Sequence, residues 1–239
     1  MTEKLQSPEL SEPVGERQVQ AIGTLMGEIL NEKEFSPSVL SEFSQQVLKG
    51  LEVNYVPDKT ESHFYDVGVV EQGIPDGRYA IEIGGQSVAN RAERLKGHVP
   101  EGTEQYLGGV WIIAHELGHG FQVAHGLAHK SVVETGFMTG LPHYPNLSKD
   151  LLDSNPELAM SEDVYDAQTI ESERQAEGLA NVVLVDALLA MGLSSEEALS
   201  AVENAGQEPR DNALKDPTPH KIGYANPLSE AELLDRFAA

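Results

Sequence analysis

At 239 residues and 40% apolar content, the chain can bury a sizeable core in one domain or two closely packed lobes. Its net charge of −23 argues against nucleic acid or an anionic membrane surface as partner; it is compatible with a cationic substrate or with a simply solubilising acidic surface. With no Cys there are no disulfides or thiolate ligands, so a metal site would have to be built from His and carboxylates, and the composition fits a reducing compartment.

Residues 1–16 are rich in Glu, Ser and Pro and lack an apolar signal-like run, which predicts a loosely packed segment and a cytoplasmic protein. The longest apolar run, 180–193, is interrupted by Asn181 and Asp186 and is too short to span a bilayer, so no membrane partner is expected. Helical spacing of Val19, Ile22, Leu25, Met26, Ile29 and Leu30 predicts a helix over 17–30. Ser36-Pro37 reads as an N-cap and first helical position, opening a helix with Val39, Leu40, Phe43, Val47 and Leu48 that stops at Gly50. Both helices are expected to be a packing layer without chemistry.

Three strands are predicted next, over 51–56, 65–70 and 78–83, with a turn at Pro75-Asp76-Gly77 and a stop at Gly84-Gly85. An edge of this small sheet could hold an extended peptide, or the sheet could merely cover the core. A helix over 86–96 follows. Thr103 can then cap a helix that runs to about Ala124 and stops at Gly126. Gly108, Gly109 and Gly118 each weaken that helix by roughly 1 kcal/mol relative to Ala, which close approach of another backbone would explain. No long element is evident over 127–164. A long helix is predicted over 165–191, and Ser194-x-x-Glu197 and Ser229-x-x-Glu232 read as capping boxes opening two final helices.

The chemistry centres on His115-Glu116-Leu117-Gly118-His119. Four positions on a helix bring both imidazoles to one side, where they can reach a single Zn²⁺ at about 2.0–2.1 Å. Glu116 lies beside them, placed to take a proton from an activated water. Two candidates compete for third ligand. His125 completes H-x3-H-x5-H, the ligand spacing of the metzincin peptidases. Six residues of continuous helix, however, displace it by about 9 Å, and Gln122 stands where metzincins have their turning Gly. The other candidate is Glu173. Stepping by three and four from it gives Glu177, Ala180, Leu184, Leu188 and Met191, so two acids share a stripe with buried apolar residues. A metal would compensate them; alternatively Glu171, Glu173 and Glu177 form a solvated face pairing with Arg174.

Together, H-E-L-G-H and Glu173-Arg174-Gln175-Ala176-Glu177 resemble the zincin metallopeptidases of the gluzincin type, and most of all the bacterial neutral zinc metallopeptidases with H-E-x-G-H-x-x-Q and E-x-Q-A-D. Gln122 matches their Gln; Glu177 stands where Asp or Asn is usual. Repressor-cleaving zinc peptidases with H-E-L-G-H and E-x-x-A-N are a second match. The resemblance implies an α+β, mostly helical zincin-like domain over 17–239, divided into a helical layer (17–50), the sheet and motif helix (51–126), and the loop, ligand helix and C-terminal helices (127–239). It implies Zn²⁺ on His115, His119 and Glu173, Glu177 hydrogen-bonded to a ligand imidazole, Glu116 as general base, and a peptide or protein substrate. His129, His143, Tyr144, His220 and Tyr224 are the candidate donors to a developing oxyanion. The competing expectation is a catalytically silent zincin scaffold used for metal-dependent sensing or protein–protein contact.

Overall fold

A computed structural model of the protein describes residues 15–66, 79–124 and 162–237. These residues form an α+β arrangement, mostly helical with one three-stranded sheet. The elements are α1 (Glu16–Glu32), α2 (Pro37–Glu42), β1 (Glu52–Val56), β2 (His63–Asp66), β3 (Tyr79–Gly84), α3 (Gly85–Leu95), α4 (Glu104–Ala124), α5 (Glu162–Ala190), α6 (Ser195–Ala205), α7 (Gln207–Lys215), α8 (Pro219–Ala225) and α9 (Glu230–Phe237). None of the described helices is long and apolar enough to cross a membrane.

The motif helix α4 is the centre of the packing. Every residue from Leu107 to Ala124 is buried, as expected of a helix that is apolar on all sides apart from its histidines, Glu116 and Gln122. Its glycines let other elements approach. A Cβ on Gly118 would lie 2.9 Å from Ala176 Cα, and one on Gly108 would lie 2.8 Å from Val88 O. Thus α5 and α3 lie directly against α4 at those two points. At Gly109 the nearest atom is Val88 Cγ1 at 4.0 Å, so no close approach explains that residue.

The N-terminal helices form the expected packing layer, with Val19, Met26, Leu30, Phe35 and Phe43 buried. Phe35 also stacks on Phe237 and meets Phe121 edge-on, tying the N-terminal layer and α9 to α4. The second helix is less regular than its pattern predicts. Its α-helical part ends at Glu42, and a π turn (Phe43–Val47) and a 3₁₀ turn (Leu48–Gly50) complete it. Two expected caps are altered. Ser36 and Pro37 take the expected cap and first helical positions, but the Ser36 hydroxyl meets Ser38 Oγ at 3.0 Å and makes no cap bond, and the Thr103 hydroxyl donates to Pro100 O at 2.6 Å. The boxes at Ser194 and Ser229 form as predicted. The C-terminal region holds two helices, α7 and α8, between the two foreseen ones.

In the sheet, β3 is central, parallel to β1 (Val53 opposite Ile81) and antiparallel to β2 (Phe64 opposite Ile81). The second strand begins two residues before its predicted start, and the rest of that prediction lies outside the described residues. Gly84 closes β3 and Gly85 opens α3 without an intervening loop.

Candidate metal centre

Helices α4 and α5 bring the two halves of the motif together. His115 and His119 stand one turn apart on α4, with ring centroids 5.0 Å apart. On α5 the predicted stripe faces inward at Glu173, Glu177, Ala180, Leu184 and Leu188, all buried, while its last predicted member, Met191, lies just past the helix end and is half-buried. The alternative of a solvated acidic face holds only for Glu171, which pairs with Arg174 at 3.2 Å and with Arg236 at the surface. Glu173 Oε2 lies 3.2 Å from His115 Nε2 and 3.6 Å from His119 Nε2. The ligand atoms of His115, His119 and Glu173 all fall within 4.8 Å of one another.

This group could hold a metal ion, and two observations bear on the fit. First, His115 Nε2 and Glu173 Oε2 are buried, yet neither has a hydrogen-bond partner despite their 3.2 Å separation. Such orphaned atoms are costly unless something else satisfies them, and a shared cation would. Second, the rear nitrogen of each ring is already occupied. His115 Nδ1 lies 2.9 Å from Glu177 Oε2, and His119 Nδ1 lies 3.2 Å from Gln122 Oε1. A ring that donates from Nδ1 presents the lone pair of Nε2, the tautomer a metal ligand requires.

Gln122 is itself fixed. Its Nε2 donates to Ser172 O at 2.7 Å, and its Oε1 accepts from Ser172 Oγ at 2.9 Å. Glu177 Oε2 thus faces one imidazole from behind, and Gln122 Oε1 does the same for the second ring. From sequence, Gln122 stands out only as a motif match. Its spacing of three from His119 is the signal that could have assigned this contact, since such residues share a helix face.

The charge state follows from these contacts. Burial pulls the His115 imidazole down, but the Glu173 and Glu177 carboxylates beside it outweigh that and push it up to about 10. Glu177 is held down at about 2: burial raises it, while the Arg91 charge and the His115 and Arg91 hydrogen bonds lower it. Glu173, opposed by burial, is held well below the usual carboxylate range by His119, His115 and His220. Glu116 differs. Burial pushes its carboxyl up against the pull of both histidines, and it makes no hydrogen bond among the described residues.

Helix α8 closes the other side. His220 Nδ1 lies 2.8 Å from Glu173 Oε1, and the Tyr224 ring stacks on His115 at 4.9 Å. Both come from the tail expected to supply a donor, and their spacing of four puts them on one face of α8. Burial, with Glu173 and Glu116 near, pushes the Tyr224 phenol well above its ordinary value, so it remains a protonated donor. The other candidates, His125, His129, His143 and Tyr144, lie outside the described residues.

Sequence reasoning passes over Arg91. It sits on the buried stripe of α3, formed by Val88, Arg91, Ala92 and Leu95, and is 5% exposed. A cation on an apolar stripe is the missed signal, because a buried guanidinium requires a partner. Comparison of the chain with models of protein families, with curated proteins and with solved structures finds no match.

Proposed function

We propose that this protein is a zinc-dependent metallopeptidase with a zincin-like fold. The observation that supports it most is the buried convergence of His115 Nε2, His119 Nε2 and Glu173 Oε2, with Glu116 one residue from the first ring. A donor set of two imidazoles and one carboxylate, without thiolate, suits Zn²⁺ and leaves a fourth position for substrate or water. When bound, Zn²⁺ supplies a Lewis acid that polarises a carbonyl and lowers the pKa of water towards about 7.

The chain's own residues do the rest. Glu116, raised by burial and free of other hydrogen bonds among the described residues, accepts the proton of the attacking water and returns it to the leaving amine. Tyr224, kept protonated beside His115, donates to the oxygen that gains charge. His220 binds the Glu173 oxygen that points away from the imidazoles and so holds the ligand carboxylate. An extended peptide can pair with the outer edge of β2, which packs on α4 through Phe64 and carries His63 within electrostatic range of His119.

The test is Glu116→Gln. It should keep stoichiometric zinc and lose at least about a hundredfold in cleavage of a peptide library, as expected for a lost general base. Retained turnover in that variant would refute the mechanism. Zinc binding by wild-type protein without any peptide cleavage would instead favour a metal-binding scaffold, a reading the deep burial of Glu116 and both ligand rings also accommodates.

A further inference from the structure

We propose that Arg91 is a positioning residue of the metal centre: it clamps Glu177 from behind and thereby fixes the carboxylate that orients His115. The inference rests on the reading of His115, His119 and Glu173 as metal ligands, and it extends that site to a helix the motifs do not include.

The physical case begins with cost. Removing a guanidinium from water costs several kcal/mol, and an apolar residue would fill this position on α3 more cheaply. Arg91 is nevertheless 5% exposed, and its fork is fully directed at one acid. Nη2 donates to Glu177 Oε2 at 2.7 Å, and Nη1 donates to Oε1. The flat faces of the guanidinium are also used: it lies 4.1 Å from the centre of the Trp111 ring and 5.7 Å from that of Tyr224. Glu177, Trp111 and Tyr224, on three different helices, therefore restrict one side chain. Such restriction is a poor way to add stability and a good way to define an orientation.

Orientation is what Glu177 needs. Its Oε2 both accepts from Arg91 and faces His115 Nδ1 at 2.9 Å. A glutamate has one more rotatable bond than the Asp or Asn usual at this point of the motif, so its carboxylate has more freedom to leave the ring. A two-point clamp removes that freedom. The result is a continuous line from Arg91 through Glu177 and His115 to Glu173, which directs the His115 Nε2 lone pair at the ligand position. The clamp also balances charge. Glu116, Glu173 and Glu177 are three buried carboxylates; Arg91 neutralises one, so a divalent cation would face two.

The test compares zinc affinity, by chelator competition, with the His115 Nδ1–H proton resonance of the zinc-loaded protein. Arg91→Lys keeps the charge and loses the fork. Arg91→Met with Glu177→Gln removes the buried pair together, so that no lone charge is left to unfold the chain. Lys96→Met, which breaks the exposed pair with Glu93 away from the site, is the control. Zinc affinity should fall about tenfold in Arg91→Lys and between about 10- and 100-fold in the double variant, with no change in the control. The His115 proton should exchange faster with solvent in both Arg91 variants. Affinity within twofold of wild type, or weaker affinity with an unaltered His115 resonance, would overturn the positioning role alone. Wild-type protein that binds no divalent ion would overturn the metal centre itself, and this role with it.

Discussion

Gly118 offers a sharp test of how α4 and α5 are held at ligand distance. Alanine there gains about 1 kcal/mol of helix propensity, so an isolated helix would be stabilised. In the folded protein the added Cβ would lie 2.9 Å from Ala176 Cα, 3.2 Å from Ala176 O and 3.3 Å from Ala176 Cβ. The closest of these falls about 0.6–1.1 Å short of an ordinary carbon–carbon contact. The obstructing atoms are largely backbone, which cannot rotate away, so the helices must separate. Overpacking of this kind costs about 1–3 kcal/mol, and more of it survives where backbone is involved. Net of the propensity gain, Gly118→Ala should lose up to about 2 kcal/mol, a fall of up to about 8 °C in Tm for a chain of this size. Because Ala176 lies between Glu173 and Glu177, the same displacement should weaken zinc binding. Gly109→Ala is the matched contrast: its nearest neighbour is 4.0 Å away, so the propensity gain should appear as a Tm rise of about 2–4 °C. Thermal melts followed by circular dichroism, with and without zinc, read both changes. A Gly118→Ala protein as stable as wild type with unchanged zinc affinity would refute the claimed packing.

Three further expectations follow from the site. Glu116→Gln should separate metal binding from hydrolysis, and the Arg91 variants should weaken zinc binding while Lys96→Met does not. Metal and proton should compete at His115. With its imidazole held at about 10 in metal-free protein, zinc binding near pH 7.5 should release about one proton, measurable by calorimetry in buffers of different ionisation enthalpy. The sign for stability follows: this raised group stabilises the metal-free fold fully below about 6.5, and that contribution is lost as pH rises through about 10. Apparent zinc affinity should therefore increase with pH across that window; pH-independent affinity and no proton release would contradict a protonated His115 in the metal-free protein.

Much of this architecture could be read from residue spacing because local and tertiary demands agree. The i, i+4 step of His115 and His119 and the inward stripe from Glu173 to Leu188 each specify one helix face, and a face can be read without coordinates. The capping boxes at Ser194 and Ser229 were legible for the same reason: their partners are three residues away. Part of what escaped was chosen by distant neighbours. Arg91 and Glu177 are 86 residues apart and Gln122 and Ser172 are 50 apart, and no periodicity relates them. Ser36 and Thr103 occupy cap positions, yet their hydroxyls bond Ser38 and Pro100 instead, since a hydroxyl has several nearby partners of similar worth. The π turn at Phe43–Val47 was equally hidden; α4 packs against that segment, and Phe43 meets Phe121 edge-on at 5.7 Å.

The central claim is that two imidazoles of α4 and one carboxylate of α5 share a cation. X-ray absorption at the zinc edge, on protein loaded with one equivalent of Zn²⁺, tests it most directly. Wild type and His125→Ala should give the same spectrum, with two imidazole nitrogens at about 2.0–2.1 Å and oxygen in the remaining positions, while Glu173→Ala should lose most of its metal on dialysis. A third imidazole that disappears in His125→Ala, together with full metal retention in Glu173→Ala, would contradict the account.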